Sequence, residues 1–541
     1  MCRLLQRRRT RVAALQLVGA VLITGCFTLP PGADYPKLDS VALPHPEETQ
    51  LGGRFDTAAR EHNGSSGFRI ITVGVDGFLT RMQLIGAAEK TLDLQYYIFR
   101  GDETGRMLSG ALLRAADRGV RVRVLVDDGD TMPGDEQIAA LTSHPSVEVR
   151  IFNPFRYRGH SNTMRSSEWV FNSSRLDYRM HNKLLVADNA VALIGGRNVG
   201  NQYFQMDPES QLADDDVFVA GPVAEQLSAT FDEYWNSAFA IPAAAFTHSA
   251  SARVASDDDL ERARAPPRQQ LQTLRTDGID YVKLVATGEP YAGMISGRLP
   301  LVWAPAQVIC DSPDKKNVER GALSGRLMTR RVATNVAAVQ SELLMVTPYF
   351  VPADEDLQRL KDLRRRNVRV RILTNSLESA TEMSAQSGYV HYRVPLLEDG
   401  VELYEVRSLL GNTKGSGQTA VVSRYGNYSL HAKLFVFDRK KLFIGSMNYD
   451  QRSKRLNTEV GLMINSPELA LQTALRFDAM VRPQNSYTLA LRPNGSGNGS
   501  HLVWQTQQDG KEIEYAQEPA RSTWQRIKLK LLSLLPLEKE L

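Results

Sequence analysis

Two short cassettes in this chain carry the same reactive residue types at the same spacing. They are His181, Lys183 and Asp188 in the first half, and His431, Lys433 and Asp438 in the second. An imidazole can attack an electrophile or shuttle protons, and a neighbouring ammonium can neutralise an anionic substrate. A phosphodiester is an anion that repels nucleophiles, so two such cassettes converging on one phosphate would favour attack on phosphorus.

Each cassette is followed by a glycine and, three residues later, an asparagine. These pairs are Gly195 with Asn198 and Gly445 with Asn448. We predict that both asparagines lie at the start of a helix, where amide and backbone N–H groups can bind phosphate oxygens. The roles follow from the residue types: one neutral imidazole attacks, the other protonates the leaving alcohol, and the lysines and asparagines hold the phosphate.

A carboxylate follows each cassette at what the sequence presents as an equivalent position. Asp216 lies in the run DDDVFV and Glu459 in NTEVGL. We predict that each orients an imidazole through its other ring nitrogen, as in a catalytic triad; the alternative is a charge at a strand edge. The apolar runs around Asp188 and Asp438 predict β-hairpins with the aspartate at the turn, so these two residues are expected to support the hairpins.

The elements that position the cassettes are themselves repeated, about 250 residues apart. The matching apolar runs are 91–98 and 341–349, 118–127 and 366–375, and 147–152 and 401–406. Helical patterns at 104–117 and 354–365 precede the second run of each half. Strands alternating with helices predict an α/β fold: two α/β/α sandwich domains related by a pseudo-twofold axis, with one active site at their interface.

The doubled cassettes resemble the HKD motif of the phospholipase D superfamily, followed by its Gly-x-x-Asn element. The resemblance covers roughly residues 70–480. The segments RMHNKLLVADN and LHAKLFVFD look like the corresponding sequences of bacterial cardiolipin synthases of the C type. It implies that His181 is the nucleophile and His431 the acid/base, although the pseudo-symmetry gives no reason from the residues themselves to prefer this order. It also implies a metal-independent enzyme without a cofactor.

This resemblance implies transfer of a phosphatidyl group to the hydroxyl of phosphatidylglycerol, giving cardiolipin. The donor would be phosphatidylglycerol, with phosphatidylethanolamine as an alternative. Water as acceptor would give phosphatidic acid instead, so a phospholipase D-type hydrolase or another phosphodiesterase is the alternative function. A non-catalytic lipid-binding lipoprotein is disfavoured because neither cassette has lost a residue.

Bulk composition limits the partners. The chain has 541 residues, too many for a single hydrophobic core, and a net charge of only +4, which gives no argument for a nucleic-acid binder. No His, Asp and Glu spacing of the metal-site type occurs in the sequence. Because both cassettes lie in one chain, we expect a monomer that acts on phospholipids at a membrane surface.

The N-terminus reads as a targeting segment. Five arginines precede a short apolar run that ends in Ile-Thr-Gly-Cys26, which resembles the lipobox of bacterial lipoproteins. We predict lipidation of Cys26 and a location on the periplasmic face of the cell membrane or outer membrane; the alternative is an ordinary signal peptide with a chance cysteine. The predicted division is a lipoprotein-type signal peptide at 1–26, a tether at 27–65, a first domain at 66–240, a linker at 241–300, a second domain at 301–485, and a C-terminal hairpin and amphipathic tail at 486–541.

Three further segments carry alternatives. The stretches 153–178 and 409–419 precede the cassettes and are either substrate lids or ordinary surface insertions. Residues 524–535 alternate leucines with basic residues. They predict either an interfacial amphipathic helix or a helix whose leucine face packs on the domain.

Overall fold

The structure is a computed structural model that describes residues 29–129, 135–157, 161–207, 209–246, 293, 296–298, 300–321, 325–409, 427–494 and 499–535. The predicted signal peptide with Cys26, most of the predicted linker and most of the 409–419 stretch lie outside the described residues.

The first half of the chain builds a mixed sheet. Its strands, together with β7, which lies outside this sheet, are β1 (Ser66–Ile71), β2 (Thr91–Tyr96), β3 (Arg121–Asp127), β4 (Val147–Phe152), β5 (Leu184–Ala187), β6 (Val191–Gly195), β7 (Ser210–Ala213), β8 (Asp216–Ala220), β9 (Ala240–Pro242) and β10 (Val302–Ala304). They are ordered β10-β1-β8-β6-β5-β2-β3-β4-β9. Strands β2, β3 and β4 are parallel, as expected where helices connect successive strands.

The second half repeats this arrangement. Its strands, together with β15, which also lies outside the sheet, are β11 (Ala306–Cys310), β12 (Glu342–Val346), β13 (Arg369–Asn375), β14 (Glu402–Val406), β15 (Asn427–Leu430), β16 (Leu434–Phe437), β17 (Lys441–Gly445), β18 (Val460–Ile464), β19 (Ser486–Pro493), β20 (Ser500–Gln508) and β21 (Lys511–Tyr515). The order is β11-β18-β17-β16-β12-β13-β14-β19-β20-β21, with β12, β13 and β14 parallel. The sheets share the order of eight equivalent strands, whereas β10 of the first sheet and β20 and β21 of the second have no counterpart.

Helices cover the sheets. In the first half they are α1 (Gln50–Glu61), α2 (Gly74–Ala87), α3 (Glu103–Asp117), α4 (Asp135–Thr142), α5 (Asn162–Leu176) and α6 (Pro222–Trp235). In the second half they are α7 (Lys315–Glu319), α8 (Met328–Ala337), α9 (Asp354–Arg365), α10 (Met383–Tyr389), α11 (Arg393–Glu398), α12 (Gln451–Arg455), α13 (Pro467–Met480) and α14 (Thr523–Leu532). One buried cluster contains residues of both halves, Phe231 and Trp235 of α6 with Phe477 of α13 among them, so the halves share a core.

Two predicted boundaries differ from the structure. Residues 29–65, predicted as part of a tether, pack on the first domain: Leu51 and Phe55 of α1 enter its core, and the backbone N–H of Ala42 donates to Asp232 at 2.8 Å. Strand β10, predicted to open the second domain, instead pairs antiparallel with β1 of the first sheet. Both segments fold onto the first domain because they carry apolar residues. The sequence pattern around these residues did not mark them as part of the core.

Candidate active site

Each cassette is fixed by a β-hairpin whose turn aspartate is tied to a neighbouring strand. In the first half, β5 and β6 pair antiparallel, and Asp188 at the turn has a positive φ of 53°. Its carboxylate accepts the backbone N–H groups of Glu89, Lys90 and Thr91 at 2.9, 2.8 and 2.9 Å. Asp188 therefore ties the hairpin to the start of β2 and does not face the cavity described below.

The second hairpin repeats this support. Asp438, with φ of 52°, lies at the turn between β16 and β17. It accepts the backbone N–H groups of Gln340, Ser341 and Glu342 at 3.1, 2.7 and 3.1 Å, at the start of β12. The structure thus gives both cassette aspartates the supporting position that the sequence predicts.

The histidine and lysine of each cassette lie just before the first strand of the hairpin. Lys183 turns back on its own cassette, and its Nζ donates to the carbonyl of His181 at 2.7 Å. Lys433 donates in the same way to the carbonyl of His431, and its Nζ lies 2.8 Å from Nδ1 of that ring. Both lysines are 1% exposed, so their charge acts from inside the protein.

A parallel strand pair between the two halves positions the second histidine. Strand β7 pairs with β15 so that Ala213 lies opposite Leu430. The next residue on each strand is therefore Asp214 on one side and His431 on the other. Asp214 Oδ2 lies 2.5 Å from His431 Nδ1, and the N–H of His431 donates to the carbonyl of Ala213 at 2.7 Å.

The first histidine is held by the equivalent contact between the two halves. A parallel bridge joins Met180 to Thr458, and the N–H of His181 donates to the carbonyl of Thr458 at 2.9 Å. The next residue after Thr458 is Glu459, whose Oε2 lies 2.9 Å from His181 Nδ1. Each imidazole is thus paired with a carboxylate from the other half of the chain.

The prediction that Asp216 orients an imidazole was wrong, and the sheet register gives the reason. Gly195 and Gly445 are equivalent in the two cassettes, but Gly195 lies opposite Asp216 whereas Gly445 lies opposite Gly461. The residue equivalent to Glu459 is therefore two positions earlier, at Asp214. Gly196 permits this placement, because a Cβ there would lie 2.1 Å from Oδ1 of Asp214.

Asp216 has a different, buried partner set. Its Oδ2 accepts from Arg81 at 2.8 Å and from Arg197 at 3.1 Å, and all three side chains are almost fully buried. Arg197 also donates to the carbonyl of Asp214. Asp216 therefore neutralises two buried guanidinium groups, one of which supports the backbone at Asp214.

The two asparagines differ in their surroundings, although both line the cavity. The Asn198 amide is occupied: its Oδ1 accepts the N–H of Ile98 at 3.1 Å, and its Nδ2 donates to the hydroxyl of Tyr203 at 2.9 Å. Neither asparagine begins a helix, contrary to the prediction: a short 3₁₀ helix (Asn201–Tyr203) starts three residues after Asn198, and α12 starts three residues after Asn448. Asn448 precedes the short helix α12, and its buried Oδ1 has no hydrogen-bond partner among the described residues. Asn448 is thus the better placed of the two to meet a ligand.

Both imidazoles face one cavity of about 660 Å³. Tyr97 contacts His181 edge-on with ring centroids 5.0 Å apart, and Tyr203 contacts His431 in the same way at 5.3 Å. The remaining wall is mixed: Ile98 and Leu212 are apolar, and the charged side chains are those of Arg100, Glu382, Asp450, Arg452 and Arg521. The cavity is large enough for a phosphodiester headgroup between the two rings.

Burial lowers the pKa values of both histidines and of Lys433. Burial, followed by the charges of Lys183 and Lys433, lowers the pKa of His181 well below its ordinary value. Burial and the charge of Lys433 lower the pKa of His431 to about 3, although Asp214 opposes the shift. Burial also lowers the pKa of Lys433 to about 8. Both imidazoles are therefore neutral near pH 7. The negative charge of an anion bound beside these lysines would favour the protonated, positively charged forms of the groups in the site.

The two carboxylates differ in charge. Burial opposes ionisation of Asp214, but the charge of Lys433 and the hydrogen bond with His431 outweigh it and lower the pKa of Asp214 below the ordinary value. Burial raises the pKa of Glu459 to about 7, against the opposing charge of Lys183. Near neutral pH, Asp214 beside His431 therefore stays ionised, whereas Glu459 beside His181 changes between its ionised and protonated forms.

Sequence reasoning did not find the residues behind Glu459. Asp311 Oδ2 accepts the N–H of Glu459 at 3.0 Å and the ammonium of Lys315 at 2.8 Å, and Lys315 also donates to the carbonyls of Ser453 and Asn457. This fully buried ion pair fixes the backbone that carries Glu459. No sequence motif marks Asp311 or Lys315.

Comparisons with known proteins agree with this geometry. Residues 82–235 and 333–481 match the family described as cardiolipin synthase, phospholipase D-like domain. Cardiolipin synthase C of Escherichia coli (strain K12) is 35% identical over 478 residues, which cover 88% of this chain and 97% of that protein. The chain belongs to the cardiolipin synthase family. The resemblance inferred from the cassettes is thereby confirmed.

More distant members of this family align over a smaller share of the chain. Major cardiolipin synthase ClsA of Bacillus subtilis (strain 168) is 24% identical, over 77% of this chain and 70% of that protein. The crystal structure of phosphatidylserine synthase from Haemophilus influenzae Rd KW20 superposes with a TM-score of 0.50 at 14% identity, covering 80% of this chain and 92% of that chain. This likeness concerns the fold alone, and it confirms the two-domain α/β architecture.

No described helix combines the length and the apolar character needed to cross a bilayer. Within the same residues, no group of three or more His, Cys, Asp or Glu side chains is placed to hold a metal ion.

Proposed function

We propose that this protein is a phosphatidyltransferase that makes cardiolipin from phosphatidylglycerol, through a covalent intermediate on His181. The observation that carries the proposal is the pair of imidazoles, each held by a carboxylate of the other half, facing one cavity backed by two lysines. Membership of the cardiolipin synthase family supports the choice of lipid.

In the first step, the neutral His181 attacks the phosphorus of phosphatidylglycerol. With Nδ1–H donating to Glu459, the lone pair of Nε2 is available for attack. The new bond is N–P, and the bond that breaks joins phosphorus to the glycerol oxygen. His431 protonates that oxygen, so glycerol leaves.

His431 must be protonated to act as the acid, although its pKa without substrate charge nearby is about 3. A bound phosphodiester adds a negative charge next to Lys183 and Lys433, which are the groups that disfavour the imidazolium. The ionised Asp214, 2.5 Å from Nδ1, then stabilises the protonated ring. Binding of substrate itself thus prepares His431 for proton transfer.

In the second step, His431 takes the proton from a hydroxyl of a second phosphatidylglycerol. The resulting oxygen attacks phosphorus, the N–P bond to His181 breaks, and cardiolipin is released. The sum is two phosphatidylglycerol molecules converted to cardiolipin and glycerol. Water in place of the second lipid would give phosphatidic acid at the same site.

The test is incubation of the purified protein with phosphatidylglycerol in detergent micelles, with the products separated and identified. We expect cardiolipin and glycerol in equal amounts; phosphatidic acid as the sole lipid product would contradict the proposal and indicate a hydrolase. His181→Ala and His431→Ala should abolish both products while the protein stays folded. His501→Ala changes an exposed imidazole remote from the cavity and is the matched control.

The charge role of the lysines has its own test. Lys183→Met and Lys433→Met should each lower turnover by about 100-fold or more, because a buried cation next to the developing charge is lost. Unchanged turnover in both would refute the neutralising role. Lys454→Met, which alters a lysine paired with Glu355 and Asp356 at the surface, controls for loss of a cation as such.

We also propose that the protein is held at the periplasmic face of a membrane by lipidation of Cys26. The support is the basic and apolar sequence before Cys26. Cys26→Ala should leave the precursor unprocessed, and labelled fatty acid should no longer enter the protein. Incorporation of label into this variant would refute the proposal.

A further inference from the structure

Helix α14, in the C-terminal extension beyond the family match, has two apolar faces, and only one of them meets the protein. Leu529 is 5% exposed and packs toward α10. Two polar contacts fix the orientation of the helix: Gln525 Nε2 donates to the carbonyl of Leu377 at 2.7 Å, and His391 Nε2 lies 3.1 Å from the carbonyl of Ser533. The packed-helix alternative predicted from the sequence therefore holds for this face.

The opposite face presents large apolar side chains to solvent. Trp524, Ile527 and Leu531 are 68%, 43% and 59% exposed, and Leu534 and Leu535 continue the patch in the turn that ends the helix, at 76% and 52%. The first three follow the spacing i, i+3, i+7 and lie within about 60° around the helix axis. A soluble surface rarely concentrates side chains of this size in so short a segment.

Two lysines border this apolar arc. At 100° per residue, Lys528 lies about 40° beyond Trp524, and Lys530 lies about 60° beyond Ile527 on the other side. Both are exposed. A narrow apolar arc with a tryptophan and a lysine on each border is the pattern of a helix that lies in the interface of an anionic bilayer.

The helix is placed at the mouth of the active cavity. Arg521, just before its first turn, lines the cavity, and so do Ser384 and Ala385 of α10, the helix on which α14 packs. The packed pair of helices α10 and α14 thus carries both a part of the cavity wall and the exposed apolar arc.

We propose that the exposed face of α14 docks on an anionic phospholipid bilayer and seats the cavity mouth at the level of the headgroups. This inference rests on the proposed function for the identity of the lipid. A phosphatidylglycerol molecule keeps its acyl chains in the bilayer while its headgroup enters the cavity, so the wall beside the mouth must tolerate hydrocarbon. The bordering lysines match the negative surface, and each contributes roughly 1 kcal/mol of attraction near such a surface.

Trp524 provides a direct probe of this contact in the full-length protein. The wild type and a Trp524→Phe variant are mixed with phosphatidylglycerol vesicles whose acyl chains carry bromine, which quenches tryptophan fluorescence on contact. We expect quenching in the wild type that exceeds that in Trp524→Phe. Equal quenching in the two proteins would overturn the proposal, and the comparison is unaffected by any anchor at the N-terminus.

A kinetic test separates docking from chemistry. Leu531→Gln with Leu534→Gln should lower turnover of phosphatidylglycerol in vesicles by about tenfold or more, since burying two leucines favours docking strongly. Turnover of a short-chain phosphatidylglycerol dissolved as monomers should stay within twofold of wild type. Leu471→Gln with Leu475→Gln alters two other exposed leucines, at 45% and 59% on α13, neither of which lines the cavity, and should change neither turnover.

The outcomes are distinguishable. Unchanged turnover on vesicles overturns the docking role, and an equal loss on monomers overturns it too, because the substitutions would then act on the cavity wall. If the wild type turns over neither form of the lipid, the proposed function fails, and the quenching comparison still decides whether α14 meets the bilayer.

Discussion

The imidazole of His181 is held by a carboxylate from the other half of the chain, with Nδ1 2.9 Å from Oε2 of Glu459. Neither half can therefore orient its own histidine. Glu459→Gln keeps the side-chain shape but removes the acceptor charge that fixes the ring and stabilises it once phosphorylated. We expect kcat to fall by about 100-fold or more, measured with phosphatidylglycerol in micelles. Glu468→Gln, on an exposed turn of α13, should leave kcat unchanged, and an unchanged kcat in Glu459→Gln would contradict the orienting role.

The neighbouring aspartates Asp214 and Asp216 should fail in different ways. Asp214→Asn removes the charge beside His431 and should lower kcat of the folded protein by about 100-fold or more. Asp216→Asn leaves Arg81 and Arg197 without their buried counter-charge, which costs about 3–5 kcal/mol of the free energy of unfolding. Thermal melting and kcat per folded molecule, measured for both variants, separate the two roles. If Asp216→Asn lost activity without loss of stability, the assignment from the register would be wrong.

The hairpin aspartates should affect stability rather than chemistry. Asp188→Ala leaves three backbone N–H groups without an acceptor, and each unsatisfied donor costs about 1–3 kcal/mol where it is buried. Asp438→Ala should cost less, because the donors at Gln340 and Ser341 are exposed and water can replace the carboxylate. The check is the urea midpoint of each variant together with kcat of the fraction that remains folded. A folded Asp188→Ala protein with no activity would instead place this carboxylate in the chemistry.

Much of this architecture was predictable because the chain repeats itself. The runs 91–98 and 341–349 became β2 and β12 at equivalent places in the two sheets, since the same buried strand pattern recurs in both halves. The identical spacing in the cassettes predicted both histidines at one interface. The hairpins followed from two apolar runs flanking Asp188 and Asp438, which is a local pattern.

The carboxylate partner of His431 could not be chosen from the sequence. Three successive aspartates lie at the start of β8, two before it and one as its first residue, and which of them faces the ring depends on the strand register, a long-range property. The extra residues between Asn198 and Asp214 include β7, so counting from the cassette gives different positions in the two halves. The buried pair Asp311 and Lys315 was missed for a related reason, since its partners lie more than 130 residues away in sequence.

The raised pKa of Glu459 predicts a stability effect that depends on pH. Its folded pKa of about 7 exceeds the ordinary value of 4.5, so the fold favours the protonated carboxyl. The stability that this group contributes is fully present below pH 4.5 and is lost as the pH rises through 7. Glu459→Gln carries no such group, so its stability relative to wild type should increase from pH 5 to pH 8, by on the order of 3 kcal/mol. Melting temperatures of both proteins at the two pH values test this, and a difference independent of pH would contradict it.

Substitution of the two asparagines that follow the cassettes should affect stability in one case and catalysis in the other. Of these two, only the Asn448 amide has an oxygen without a hydrogen-bond partner among the described residues. Asn198 binds the N–H of Ile98 and the hydroxyl of Tyr203, whereas the Oδ1 of Asn448 lacks a partner among the described residues. Asn198→Ala should therefore lower the free energy of unfolding by about 1–3 kcal/mol. Asn448→Ala should leave stability intact and lower kcat/KM for phosphatidylglycerol by about 100-fold, because the Nδ2–H groups of Asn448, and not its Oδ1, can donate to a developing oxyanion. Asn448→Asp places a negative charge in the cavity and should be slower still. Equal effects of the two alanine variants on kcat/KM would mean that the pseudo-symmetry of the cassettes, and not the occupancy of each amide, decides how the phosphate is held.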